Sequence, residues 1–178
     1  ARWTSSAKDG VGTSLNALSR VWFTISHGIL NEIYYPRVDQ ACTRDMGLMV
    51  TAKDFFSEEK RDTSSTVSYP IAGVPAYQLV NECKNGRYRI EKEIIADPVR
   101  SVVLQRIKFV PLKGVASDYH MHVILAPHLA NYGMGNTGWA GDYKGIPMMF
   151  AERGACALAL ASSVPWGKRS VGFVGVSD

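Results

Sequence analysis

YQLVNECKNGRYRIEKEIIA, residues 77–96, decides the fold. Tyr88, Ile90 and Ile94 alternate with Arg89, Glu91 and Glu93. A period of two puts one apolar and one wet face on an extended strand. Asn85-Gly86 stands between this run and residues 77–83. Asn-Gly takes the positive φ angles of a type I′ turn, so the pair predicts an antiparallel hairpin. The pattern continues outward. Val103, Ile107 and Phe109 share one parity, broken by Gln105. Tyr119, Met121, Val123 and Leu125 alternate with His120, His122 and Ile124. Asp97-Pro98 and Leu112-Lys113-Gly114 are breaks at strand-length intervals. Further strands are expected at residues 21–25, 29–35, 48–51, 65–69, 148–152, 155–162 and 171–176. Residues 14–20 could make a helical turn or two, but no 3.6-residue period is sustained. The fold class is therefore all-β, a sandwich or a barrel, and two antiparallel sheets fit better, because there is no repeat of the kind a propeller or solenoid needs. No Ser/Pro-rich linker divides the chain, so residues 1–178 read as one domain.

Composition sets limits on function. The 178 residues are 46% hydrophobic and 20% charged, an ordinary globular balance. No run approaches the ~18 apolar residues of a membrane helix. The chain opens on Ala1 without a basic and then apolar leader, which reads as a processed or trimmed product. The net charge is +4, and Lys84, Arg87, Arg89 and Lys92 are interleaved with Glu82, Glu91 and Glu93. A nucleic-acid partner would want one basic stripe with aromatic platforms, so neither nucleic acid nor membrane is expected. Cys42, Cys83 and Cys156 cannot all pair internally, form no CxxC, and read as small buried hydrophobes.

Several motifs fail on chemistry. Gly133-Met134-Gly135-Asn136-Thr137-Gly138 spells GxGxxG, but a dinucleotide site needs that turn to open a helix. The glycines and proline that follow forbid one. His120 and His122 lie on one strand face without a visible third metal ligand, so no metal or other cofactor is assigned. No GxSxG elbow occurs, and no carboxylate pair is recognisable, so no catalytic residue is assigned. Glu58-Glu59 beside Lys60-Arg61 reads as a solvated charge cluster.

Two segments stand out. Residues 31–45 (NEIYYPRVDQACTRD) gather Tyr34, Tyr35, Arg37, Asp39, Arg44 and Asp45 around Pro36. Pro36 holds Tyr35 extended, and two arginines with two aspartates can form bidentate ion pairs. Such a segment either presents aromatics and charges to a ligand or neighbouring domain, or is a strand corner braced by Arg–Asp pairs. Residues 131–147 (NYGMGNTGWAGDYKGIP) read as a long irregular loop with five glycines and a proline. Tyr132, Trp139 and Tyr143 there either form a sugar platform or tuck into the sandwich.

These stretches carry a resemblance. KDGVGT (8–13), RVWFTISHGILNEIYYPRVDQACTRDMGLMVT (20–51), FFSEEKRDT (55–63), NGRYRIEKEIIADPVRSVVLQRIKF (85–109), APHLANYGMGNTGWAGDYKG (126–145) and ALALASS (157–163) resemble bacterial and archaeal glucoamylases and glucodextranases. The likeness is to their N-terminal domain, in glycoside hydrolase family 15. It implies a large antiparallel β-sandwich, the "super-sandwich", preceding an (α/α)6 barrel that carries two catalytic glutamates. It also implies inverting exo-hydrolysis of α-glucans in the whole enzyme, with this chain a non-catalytic accessory domain. Its partners would be its own barrel and, through the full-length enzyme, an α-glucan. By analogy, residues 34–45 meet the barrel, with residues 132–143 second. Linkage specificity, α-1,4 or α-1,6, would lie in the barrel. Export or a periplasmic location is favoured over the cytoplasm. Such domains are longer than this chain, so a truncated sandwich is expected, with open edges that pair with a second copy. The rival readings are an autonomous carbohydrate-binding module and a protein-interaction sandwich.

Overall fold

The computed structural model describes residues 7–173. Thirteen strands are present among them: β1 (Gly10–Thr13), β2 (Trp22–Ser26), β3 (Ile29–Tyr34), β4 (Thr43–Ala52), β5 (Phe55–Glu58), β6 (Thr63–Ser68), β7 (Tyr77–Cys83), β8 (Tyr88–Ala96), β9 (Val103–Pro111), β10 (His120–Pro127), β11 (Thr137–Tyr143), β12 (Ile146–Arg153) and β13 (Cys156–Ala161). A one-turn helix, α1 (Glu59–Asp62), separates β5 from β6. All pairings are antiparallel.

The strands form three sheets. Sheet A runs β1-β2-β3-β4-β10, with β5 sharing an edge of β4 with β3. Sheet B is the meander β6-β7-β8-β9, and sheet C is β11-β12-β13. Sheets A and B make the sandwich. Phe23, Ile25 and Leu30 from sheet A meet Tyr77, Leu79 and Ile94 from sheet B. Leu48 and Val50 meet Cys83, Tyr88 and Ile90. Each fully buried side chain of this size contributes about 1.5–3 kcal/mol. The Tyr88 ring stacks on Phe109 with centroids 5.5 Å apart, and its hydroxyl lies 2.6 Å from Ser57 Oγ. Burial, the largest cause, pushes that phenol up to about 12.

The β7–β8 hairpin forms as the alternation predicts, but its turn differs from type I′. Gly86 N donates to Cys83 O at 2.7 Å, so Lys84 and Asn85 are the central residues. Of the turn residues only Gly86 has positive φ, at 61°. This is a type I turn followed by a left-handed glycine, within a four-residue loop, residues 84–87, between β7 and β8.

Other expectations need correcting. Residues 14–20 form no helix, because side chains take the amides: Asn16 N donates to Ser14 Oγ and Leu18 N to Asn16 Oδ1, both at 2.9 Å. Residues 137–143, read as loop, are strand β11. Its glycines sit at strand positions, and the true turn is Lys144-Gly145, with φ of 50° and 78°. The expected strand at 171–176 does not start at 171–173, which are irregular, and 174–176 lie outside the described residues.

Glu59 is the largest correction. It belongs to no solvated cluster: its side chain and that of Lys92 are both fully buried, with Nζ 2.8 Å from Oε1. Lys92 occupies the inward parity of β8 between Ile90 and Ile94. Burying two charges costs several kcal/mol per ion unless hydrogen bonds compensate. Here Leu48 N donates to Glu59 Oε2 at 3.1 Å, and Asn81 Nδ2 donates to Oε1 and to Gly28 O. Gly28, with φ of +71°, has no room for a side chain: a Cβ would lie 2.1 Å from Ser65 Oγ. Lys92→Met alone is expected to cost about 3–5 kcal/mol in urea unfolding, since it strands the Glu59 carboxylate. Adding Glu59→Gln should recover part of that loss; a cost near zero for Lys92→Met would show that the pair carries no stability.

Candidate functional site

The two segments singled out by sequence come together at the junction of sheets A and C. Asn131 makes the join. Its Oδ1 accepts from Ala41 N at 2.7 Å, its Nδ2 donates to Asp39 O at 2.8 Å, and its own amide donates to Ala41 O at 3.0 Å. Ala130 and Asn131 have φ of 54° and 68°, which aims these groups back at the 37–42 loop. Asparagine tolerates that left-handed conformation better than most residues. Next to it, His128 N donates to Cys42 O at 2.8 Å. Burial, then Arg44, pushes the buried His128 imidazole below its usual value. Asn136 Oδ1 accepts from Leu129 N at 3.2 Å. Beneath these bonds Cys42, Leu129 and Ala151 form an apolar cluster, flanked by Tyr35, Cys156 and Leu158.

The charged residues of the first segment separate. Arg37 and Asp39 form an exposed pair at the loop tip, which lowers the Asp39 carboxyl chiefly through the hydrogen bond from Arg37. Asp45 turns inward instead, accepting from Asn31 Nδ2 at 2.9 Å and from Lys60 Nζ at 2.8 Å. Arg44 is half-buried on β4. Tyr34 is half-buried, and burial, then Glu32, raises its phenol. The Arg20 guanidinium lies over the Tyr35 ring at 5.7 Å.

Sheet C has two unlike faces. Ala151, Leu158 and Cys156 point into the cluster against the sandwich. On the other face the register aligns Trp139 with Phe150 and Ala159, Gly141 with Met148 and Ala161, and Tyr143 with Ile146. Those strand positions are solvent-facing: Trp139 is 39% exposed, Tyr143 55% and Ile146 48%. The Trp139 indole stacks on Phe150, with centroids 5.3 Å apart and planes 17° apart. A Cβ at Gly141 would lie 3.3 Å from that indole, so glycine keeps the strip flat. Tyr132 stands apart. Its ring stacks under the Arg153 guanidinium at 4.0 Å, and Arg153 shares the parity of the buried Ala151. Trp139 and Tyr143 therefore share a surface, and Tyr132 is held on the other side. The chain after β13 braces the sheet: Arg169 Nη1 donates to Gly141 O at 2.6 Å and Met148 O at 2.9 Å, and Trp166 Nε1 to Pro147 O at 3.0 Å.

His120 and His122 are exposed on β10, with His122 Nε2 3.1 Å from Thr51 Oγ1. Among the described residues no three His, Cys, Asp or Glu side chains gather as a metal site. A depression of about 310 Å³ on the outer face of sheet B is lined by Glu91, Glu93, Arg106 and Lys108, which pair among themselves.

The family described as glucodextranase, domain N, matches residues 1–178. The chain belongs to that family. The glucoamylase of Clostridium sp. (strain G0005) is 38% identical over 177 residues, which is 99% of this chain. A bacterial glucoamylase whose crystal structure was solved in complex with acarbose superposes with a TM-score of 0.91 at 37% identity, over 93% of this chain. The chain spans about a quarter of the length of both relatives, 25% in each case. The sandwich of this chain is thus shared with a bacterial glucoamylase, as the motifs implied.

Sequence reading missed Asn131, Asn136 and Phe150. Asn131 acts through backbone partners far away in the chain, at Ala41 and Asp39, and Asn136 through the nearby Leu129 amide and Tyr132 carbonyl. Phe150 becomes visible only once Trp139 is placed on a strand. Asn131→Ala should cost about 2–4 kcal/mol, from lost hydrogen bonds and left-handed strain. It should also accelerate hydrogen exchange at the Ala41 amide. Asn131→Gly should recover about 1 kcal/mol of that loss while leaving exchange fast.

Proposed function

We propose that residues 1–178 form a single non-catalytic accessory domain of a glucoamylase-like, exo-acting, inverting α-glucan hydrolase. In this reading the domain supports the folding of an (α/α)6 catalytic barrel and helps to shape its active-site rim. The observation that carries it is the end-to-end match: nearly the whole chain aligns with a quarter of a glucoamylase at 38% identity. The buried carboxylates are consistent with a structural role, since Glu59 and Glu32 are both tied to lysines, at 2.8 Å to Lys92 and 2.8 Å to Lys8. The catalytic acid and base are assigned to the rest of the enzyme.

Two surfaces suit the contact with the barrel. The first is the tip around Tyr34, Tyr35, Arg37 and Asp39, with Arg44 and Asp45 behind it. The second is the open face of sheet C, where Trp139, Tyr143, Ile146, Met148 and Phe150 form an apolar strip. Open edges at β6, β9, β11 and β13 would let the isolated chain pair with a second copy.

Hydrolysis of maltooligosaccharides and dextran by the full-length gene product, beside this chain alone, tests the reading. Glucose release by the full-length protein only is expected. Release by this chain alone would overturn the non-catalytic assignment, and release by neither would remove the enzyme from the reading. Trp139→Asp in the full-length protein should lower the yield of soluble, active enzyme several-fold if the strip is a docking face.

Carbohydrate binding is the second reading, favoured by the flat Trp139–Gly141–Tyr143 strip, since an aromatic ring can take the apolar face of a pyranose. Retardation of the isolated chain in glucan-containing gels, abolished by Trp139→Ala, would move the assignment to a binding module.

A further inference from the structure

Two of the three cysteines meet in space although they are 114 residues apart: Cys42 Sγ lies 3.8 Å from Cys156 Sγ. Cys42 is the residue before β4 and belongs to the sandwich. Cys156 is the first residue of β13 and belongs to sheet C. Both sit in the apolar cluster of Leu129, Ala151, Tyr35 and Leu158, through which the sheet contacts the sandwich. A disulfide bond needs the sulfurs about 1.8 Å closer. Cys83 lies in the other core cluster, with Tyr88 and Ile90, and is not part of the pair.

We propose that Cys42 and Cys156 are an oxidisable dithiol whose disulfide locks sheet C onto the sandwich. The reaction with a small disulfide such as oxidised glutathione balances in two exchanges. Cys156, the less buried of the two, loses its proton to solvent and its thiolate attacks one sulfur of the oxidant. One glutathione leaves as thiolate, and Cys156 carries the other as a mixed disulfide. Cys42 then gives up its proton and attacks Cys156 Sγ, expelling the second glutathione. The two protein thiols are oxidised, and one glutathione disulfide is reduced to two thiols. The second exchange is the slow one, because burial, the largest cause, raises the Cys42 thiol. Thiolate attacks and thiol does not.

The test is oxidation of the native 178-residue chain with oxidised glutathione. Remaining thiols are blocked in denaturant, and the peptides are mapped by mass spectrometry with and without reductant. The expected result is a Cys42–Cys156 linked peptide, loss of two hydrogens from the intact mass, and one free thiol at Cys83. The oxidised form should melt about 5–10 °C above the reduced form, since a long loop is closed. Cys42→Ser and Cys156→Ser should each remove both the linked peptide and the shift. Cys83→Ser should keep the linked peptide, and the mapping of the unmutated chain stands whether or not the variants fold. A glutathione adduct still on Cys156 when oxidation has reached its end point, three unmodified thiols, or a bridge to Cys83 would each overturn the proposal.

Discussion

The sandwich is organised around one fully buried ion pair, Glu59–Lys92. Glu59 comes from a one-turn helix between β5 and β6, and Lys92 from the inward face of β8, an inner strand of sheet B. Neither can reach water. Asn81 spans from the Glu59 carboxylate to Gly28 O in the β2–β3 turn, and Leu48 N adds a bond from β4. Five separate pieces of chain are thereby fixed to one charge pair. An apolar core alone would tolerate small slips of one sheet over the other. A buried carboxylate does not, because displacement leaves a charge without its partner. The hydrophobic clusters on either side of this pair supply the bulk of the burial energy. The pair fixes where each sheet sits.

The second level of organisation is the attachment of sheet C. Among the described residues no strand of sheet C pairs with a strand of sheet A or B, so the junction depends on loops. Asn131 and the His128 amide supply hydrogen bonds to the 37–42 loop, Asn136 braces the 129–132 turn that carries them, and the cluster around Leu129 supplies the apolar contact. One face of sheet C is spent on this junction. The other carries Trp139, Phe150, Met148, Tyr143 and Ile146 outward on a flat strip. An apolar sheet face of this kind is where a larger protein places a neighbour.

Much of the fold was legible because period-two alternation is a direct consequence of strand geometry. It gave β7, β8, β9 and β10 nearly residue by residue. It failed where side chains are too small to alternate visibly: Gly138, Ala140 and Gly141 hid β11, and Gly10 and Gly12 hid β1. In β1 the glycines admit rings, since a Cβ at Gly12 would lie 2.2 Å from Phe23. The buried Lys92 was overlooked for the opposite reason. It sat on the apolar parity of β8 and was counted with the surface charges around it. Its partner, Glu59, looked solvated in the sequence because nothing local shows which way a single helical turn will face. The site was legible as two segments but not as one place. Their union depends on Asn131 and on two residues in left-handed conformation, which no pattern announces. The family motifs named the fold independently of that geometry.

The topology carries a kinetic consequence. Sheet B is a meander whose hairpins close short loops, so it can form as soon as its strands are made. Sheet A cannot be finished at that stage. Its last strand pairs His120 with Thr51 and Leu125 with Met46, across the whole of sheet B in sequence. Closing so long a loop is entropically expensive and comes late. Until β10 arrives, one long edge of β4 stays open to any other strand, its own or a neighbour's. The interval between synthesis of β4 and capture of β10 is therefore when this chain is most exposed to mispairing.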